Sequence, residues 1–254
     1  MSRRAGHAPA SPVPFDPAAA RTVRSALGLS PAMVARALAD SYAMRVPPAL
    51  VIAWETGATH PTERELVALA RVLWCLPGQL MGGRAATLRD HRLALDLPLE
   101  EVARRLRLSL RDYTAMEAHW DGDRTETLDL ARVLQLTPRA LVRACGREER
   151  LDESLRRAVD GRWLSQVEPV RELVPTLPEE SITRALKSLA GERATSSALW
   201  GSSSTSASSN IIGNGNGNST GTGTGTGGVA AEPAQQSSDG EGELSERFWA
   251  LAEG

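Results

Sequence analysis

Apolar residues recur at three- and four-residue steps along most of residues 19–193, the spacing that lines one face of a helix. The runs are short, and local signals close most of them. Thr22–Leu27 reads as a helix stopped by Gly28, which adopts the left-handed conformation easily. Ser30 and Pro31 are a cap and a first-turn proline for the next helix. Pro47 and Pro48 open a third helix that runs to Glu55, with Gly57 ending it. Thr62 and Glu65 form a capping box ahead of Glu63–Trp74, and Pro77 starts a short turn through Leu80. A second series follows: Leu88–Ala94, Leu99–Leu106, Leu110–Glu117, Glu126–Leu134 and Pro138–Ala144.

Beyond these, Leu151, Leu155, Val159, Trp163, Val167, Val170 and Leu173 make one apolar stripe on a long helix. Gly161 weakens that helix, and Pro169 is expected to break or kink it. Thr176 and Glu179 suggest a capping box for a further helix that carries Ile182, Leu186 and Leu189. This extension, 148–194, has two readings: packing on the preceding helices, or a dimerisation arm. Two segments are too poor in apolar side chains to offset their ordering entropy and are predicted to be disordered. They are the Pro/Ala-rich residues 1–18 and the Gly/Ser/Thr/Asn-rich linker 195–240. The closing segment, 241–254, places Leu244, Phe248, Trp249 and Leu251 on one face of a short helix. Such a helix needs a surface to dock on: its own chain, a second subunit or a partner protein.

The two series are an internal duplication. LGLSPAMVARAL (27–38) aligns with LDLPLEEVARRL (95–106), and LARVLWCLPGQL (69–80) with LARVLQLTPRAL (130–141). Trp54-Glu55 aligns with Met116-Glu117. The later pairs lie 61–62 residues apart and the first pair 68, which puts an insertion of about six residues near Ser41–Val46. The length of the repeat suits one small helical domain per copy.

The run LSPAMVARAL…VPPALVIAWETGATHPTERELVALARVLWCLPGQLMG resembles the Cro/repressor-type, XRE-like family of helix-turn-helix regulators. That family's four pieces occur in order across residues 27–82. The second copy keeps VARRL, Met116-Glu117 and LARVL but lacks the tryptophan, the glycine and the following proline. The resemblance implies an all-α fold. It would comprise two tandem five-helix, lambda-repressor-like domains, 19–84 and 85–147, followed by the helical extension and the linker. It also implies a transcriptional regulator that lays its recognition helices in the major groove of double-stranded DNA, commonly as a homodimer.

Carried over by position, the base-facing candidates of the first copy are Pro48, Ala49, Leu50, Ile52 and Ala53, with Val51 and Trp54 buried beneath them. The resemblance gives Glu55 a structural role. Base edges are normally read by Arg, Lys, Asn, Gln or Ser, so these apolar residues offer at most contact with thymine methyls. An apolar helix face also suits a protein partner, and an interaction adaptor is therefore the rival function. The second copy offers Arg111, Asp112 and Thr114. Candidates for phosphate contact are Arg21, Arg24, Arg36 and Arg45 in the first copy and Arg104, Arg105 and Arg107 in the second.

Composition narrows the classes further. Aromatic residues make up only 4% of the chain against 41% hydrophobic, so the cores must be aliphatic. Lys187 is the one lysine, an arginine bias that fits a high-GC genome. A net charge of −2 weighs against a non-specific nucleic-acid coat but leaves room for a local basic face. Cys75 and Cys145 stand in apolar runs and read as buried thiols, and the four histidines have no partner at metal-ligand spacing. No cofactor or metal is expected. The N-terminus lacks a signal peptide's apolar core and no run is long enough to span a membrane, so a cytoplasmic protein is expected. Without a nucleophile–base pair or a phosphate-binding loop, enzymatic activity is not expected; the Gly-rich tract at 213–228 has no following lysine or helix.

Overall fold

A computed structural model describes residues 13–201 and 237–254, with side chains described to 192 and again from 243. Among the described residues the regular structure is entirely helical. The expectations for residues 1–12 and 202–236 lie outside the described residues. The chain divides into two compact units, Met1–Glu148 with Val174–Thr176, and Glu149–Leu173 with Leu177–Gly254.

The first unit holds both copies of the repeat. Helices α1 (Pro17–Ala26), α2 (Pro31–Tyr42), α3 (Pro48–Glu55) and α4 (Glu63–Val72) are followed by a 3-10 turn, Pro77–Leu80. Ser30 caps α2 through the Met33 amide, and the Thr62–Glu65 capping box opens α4. The insertion consists of an extra turn on α2, which ends with Ala43 in the left-handed region at φ 53°, and an extended connector. The first helix starts five residues earlier than the apolar pattern suggests, because Asp16 caps it by accepting from the amides of Ala18 and Ala19. The residues just before it are packed too. Val13 and Phe15 lie in the core with Trp54, Leu66 and Leu80, which corrects the assignment of all of 1–18 to disorder.

The second copy comprises α5 (Leu88–Ala94), α6 (Leu99–Arg105), α7 (Leu110–Ala118), α8 (Arg124–Val133) and α9 (Pro138–Ala144). Its core repeats the first in register. Val34, Leu38, Val51 and Leu80 correspond to Val102, Leu106, Tyr113 and Leu141, all buried. Among the positions that differ, the counterpart of Leu66 is Thr127, fully buried. Its hydroxyl accepts from the Trp120 indole N–H at 2.9 Å and donates to the Gly122 carbonyl at 3.3 Å. Thr127→Val should therefore cost about 1–3 kcal/mol by orphaning a buried indole donor, measured as a lower urea midpoint at unchanged slope.

In the second unit, α10 (Glu148–Arg157) passes through a π-helical segment, Ala158–Arg162, into α11 (Trp163–Leu173). Gly161 has φ 93° there, so the break falls at Gly161, whereas Pro169 is accommodated inside α11. Helix α12 (Glu179–Gly201) follows, and α13 (Ser237–Glu253) packs on it with Phe248, Trp249 and Ala252 buried and Arg247 paired with Glu192. The terminal helix thus docks on its own chain. Ile182, Leu186 and Leu189 are buried as their spacing suggests, but the Thr176 hydroxyl, itself buried, has no hydrogen-bond partner and closes no capping box.

Candidate nucleic-acid interface

Each copy fixes its third helix to its first with the same clamp. In the first copy, Nε and NH2 of Arg24 donate to the two carboxylate oxygens of Glu55 at 2.5 and 2.8 Å. NH1 donates to the Leu29 carbonyl at 2.6 Å. In the second copy Arg92 grips Glu117 at 2.6 and 3.4 Å and the Leu97 carbonyl at 3.1 Å. The hydrogen bond to Glu55 holds the Arg24 pKa above its ordinary value against the opposing effect of burial. Burial also opposes the charge on Arg92, and the hydrogen bond and charge of Glu117 more than offset it. Burial, joined by the charge of Glu117, pushes the Tyr113 hydroxyl up; that hydroxyl donates to Glu117 at 3.2 Å.

This geometry removes Arg24 from the phosphate-contact candidates, since each of its three guanidinium nitrogens donates to a group of the fold and its side chain is 14% exposed. The clamp is visible in the sequence as R-x-A-L-x-L, starting at Arg24 and again at Arg92, a signal missed by aligning the copies only from Leu27. Glu63 extends the network between the copies: Arg89 donates to it at 2.8 Å and Arg92 lies 3.6 Å away. Arg71 pairs with Asp96, again across the two copies, at 3.0 Å.

The remaining candidates fall into two groups. On α3, Pro48, Ala49 and Ile52 are exposed while Leu50 and Ala53 are half-buried, so its outward face is apolar and Ile52 is 50% exposed. On α7, Arg111, Asp112 and Thr114 are all exposed. Asp112 accepts from the Ser109 hydroxyl at 2.6 Å, and Thr114 donates back to the Leu110 carbonyl at 2.7 Å. The Arg111 side chain makes neither hydrogen bond nor ion pair among the described residues, and the same holds for the side chains of the exposed Arg107 and Arg45. Arg107 stands in the turn between α6 and α7 at φ 59°, and Arg45 in the connector between α2 and α3. Arg104 and Arg105 share Glu101 at the surface, and Arg36 pairs with Asp40 at 3.4 Å. Arg21 donates to the Glu55 carbonyl at 3.1 Å. Exposed pairs of this kind are weak and exchange readily for a phosphate.

Cys75 and Cys145 are half-buried, not buried as their apolar runs suggest; even so burial raises both thiols, Cys145 to about 11, so neither is an activated nucleophile. No group of potential metal ligands is gathered among the described residues, and none of their helices is long and apolar enough to cross a membrane. No family model, curated protein or solved structure matches the chain.

Proposed function

We propose that this chain is a DNA-binding transcriptional regulator, non-enzymatic, with two tandem helix-turn-helix units of which the second reads sequence. The observation that carries the reading is α7. It is a short helix anchored from behind by a buried arginine–glutamate clamp and presenting an exposed, unpaired Arg111 in its first turn. A guanidinium so placed matches the paired acceptors of a guanine edge. Arg107 in the adjoining turn, with Arg104 and Arg105 on α6, supplies phosphate contacts that orient the helix. Helix α3 adds thymine-methyl contacts through Ala49 and Ile52, with Arg45 reaching the backbone beside it.

Selection of binding sites from random duplex DNA with the full chain, at two salt concentrations, tests this. The expected outcome is an enriched motif that persists at the higher salt. Binding without a motif, lost steeply as salt rises, would be electrostatic only and would overturn sequence readout.

The apolar outward face of α3 favours a second reading, an adaptor that binds a protein through Ile52. An Ile52→Arg variant separates the two. Unchanged DNA selection, together with loss of a co-purifying protein, would assign α3 to protein recognition.

A further inference from the structure

The two copies are joined by faces that differ between them. The first copy offers α4 and the 3-10 turn, and the second offers α5 and the turn after it. Arg71 donates to both carboxylate oxygens of Asp96, at 3.0 and 3.1 Å. Nε and NH2 of Arg89 donate to Glu63 at 3.1 and 2.8 Å. The contact is also close-packed. A Cβ at Gly78 would come within 3.0 Å of the Ala94 carbonyl oxygen, and Leu93 of α5 is buried in the core of the first copy. Surface ion pairs alone would make a weak joint; the shared core is what fixes one copy against the other.

In the register of the duplication this joint cannot be made in both directions. The counterparts of Arg71 and Asp96 are Arg132 and Gly28, and a glycine offers no carboxylate. The counterparts of Glu63 and Arg89 are Arg124 and Arg21, two cations. Gly78 and Leu93 correspond to Arg139 and Ser25, a long side chain at the close approach and a polar one in place of the core residue. Arg132 and Arg21 are bonded within their own copies instead, to Asp129 and to the Glu55 carbonyl. A two-fold axis requires every contact to recur with its partners exchanged. None of these does, so the joint is head-to-tail and no two-fold axis relates the two copies.

The joint leaves both candidate recognition helices uncovered. Pro48, Ala49 and Ile52 on α3 and Arg111, Asp112 and Thr114 on α7 are exposed. The two surfaces also differ in chemistry, the first apolar and the second polar.

We infer, resting on the DNA reading proposed above, that one chain reads one undivided and non-palindromic stretch of duplex, in which an element for α7 and an element for α3 stand in a single order, orientation and spacing. Half-sites read by a symmetric dimer are inverted copies of each other, because operator symmetry mirrors protein symmetry. Copies held head-to-tail impose no such relation. Arg111 and Ile52 also select different bases, guanine for the guanidinium and thymine for the apolar side chain. A fixed joint fixes the spacing too, so the chain cannot follow a site whose two elements are moved apart.

The test starts from the motif selected with the full chain from random duplex DNA. Two unlike elements are expected, one guanine-bearing and one thymine-bearing. Affinity is then measured on duplexes with about five base pairs inserted between the elements, roughly half a helical turn, and on duplexes with one element inverted in place. Each change should weaken binding at least about tenfold, to the level of the stronger element alone. Gly78→Arg, which puts the second copy's residue into the joint, should accept several spacings while keeping the bases preferred within each element. A two-fold axis between the two elements would overturn the inference. So would a motif of one element only, or equal affinity across spacings, and these measurements on the parent chain need no variant to fold. A folded Gly78→Arg variant as strict as the parent would mean that something other than this joint sets the spacing, and would overturn it as well. An inverted repeat of the whole composite, with its axis outside, would be two chains and would uphold it. No enriched motif at either salt would overturn the DNA reading itself and this inference with it, whereas the other failures leave that reading standing.

Discussion

Replacing Arg92 by leucine is expected to cost the first unit about 3–5 kcal/mol, the range for breaking a buried ion pair from one side. Only 5% of the Arg92 side chain is exposed, and its removal strands Glu117, whose side chain is 10% exposed. The Tyr113 hydroxyl would then be the remaining donor near that carboxylate, too little to solvate a buried charge. The Leu97 carbonyl loses a donor as well, so the turn between α5 and α6 loosens together with the seat of α7. A fall in melting temperature of about 10 °C follows from that free energy for a unit of this size. The double variant Arg92→Leu, Glu117→Leu should recover much of the loss, because both charges leave together. A single variant as stable as the parent would mean that the clamp is not a structural element. An unrecovered double variant would place the cost in lost packing of the arginine stem. The equivalent pair, Arg24 and Glu55, should behave alike in the first copy, where its side chains are 14% and 7% exposed.

What the sequence reveals and what it conceals follow from the range of the interactions. Ser30 with Pro31, Pro48 and the Thr62–Glu65 box act within four residues, so the starts of α2, α3 and α4 can be read to the residue. The start of α1 carries a local signal of the same kind, Asp16 ahead of Pro17, but the order of the residues before it does not. Its arm is Pro- and Ala-rich, and it is ordered by His60, Leu80 and Arg84, which lie 45 or more residues away. Arg24 was open to misreading for the same reason: an arginine on an amphipathic helix looks solvated until Glu55 is brought beside it. The break in the second unit turns on backbone conformation. Gly161 at φ 93° leaves the helical region altogether, whereas the helix that contains Pro169 continues through it. Of the interface, the polarity contrast between α3 and α7 is legible from residue type alone. The availability of Arg111, against the local bonding of Asp112 and Thr114, needs the three-dimensional structure.

That contrast sets the last expected result. Arg111→Ala should weaken binding to the selected duplex about 10- to 100-fold, equivalent to about 1–3 kcal/mol, while binding to scrambled duplex falls far less. The asymmetry is the diagnostic part. A guanidinium on a base edge adds discrimination and little salt dependence, whereas one on a phosphate adds affinity for any sequence. Arg107→Ala, at the turn before α7, should therefore behave in the opposite way: a similar loss on both duplexes and a log–log salt slope smaller by about 0.9. Substituting Ala for Arg111 breaks no side-chain hydrogen bond or ion pair among the described residues, so an unchanged melting temperature should accompany the lost specificity. If both variants lose affinity equally on both duplexes, α7 lies along the backbone and sequence readout must come from elsewhere. If Arg111→Ala leaves both affinities intact, α7 does not enter the groove, and the apolar face of α3 becomes the surface on which function has to be sought.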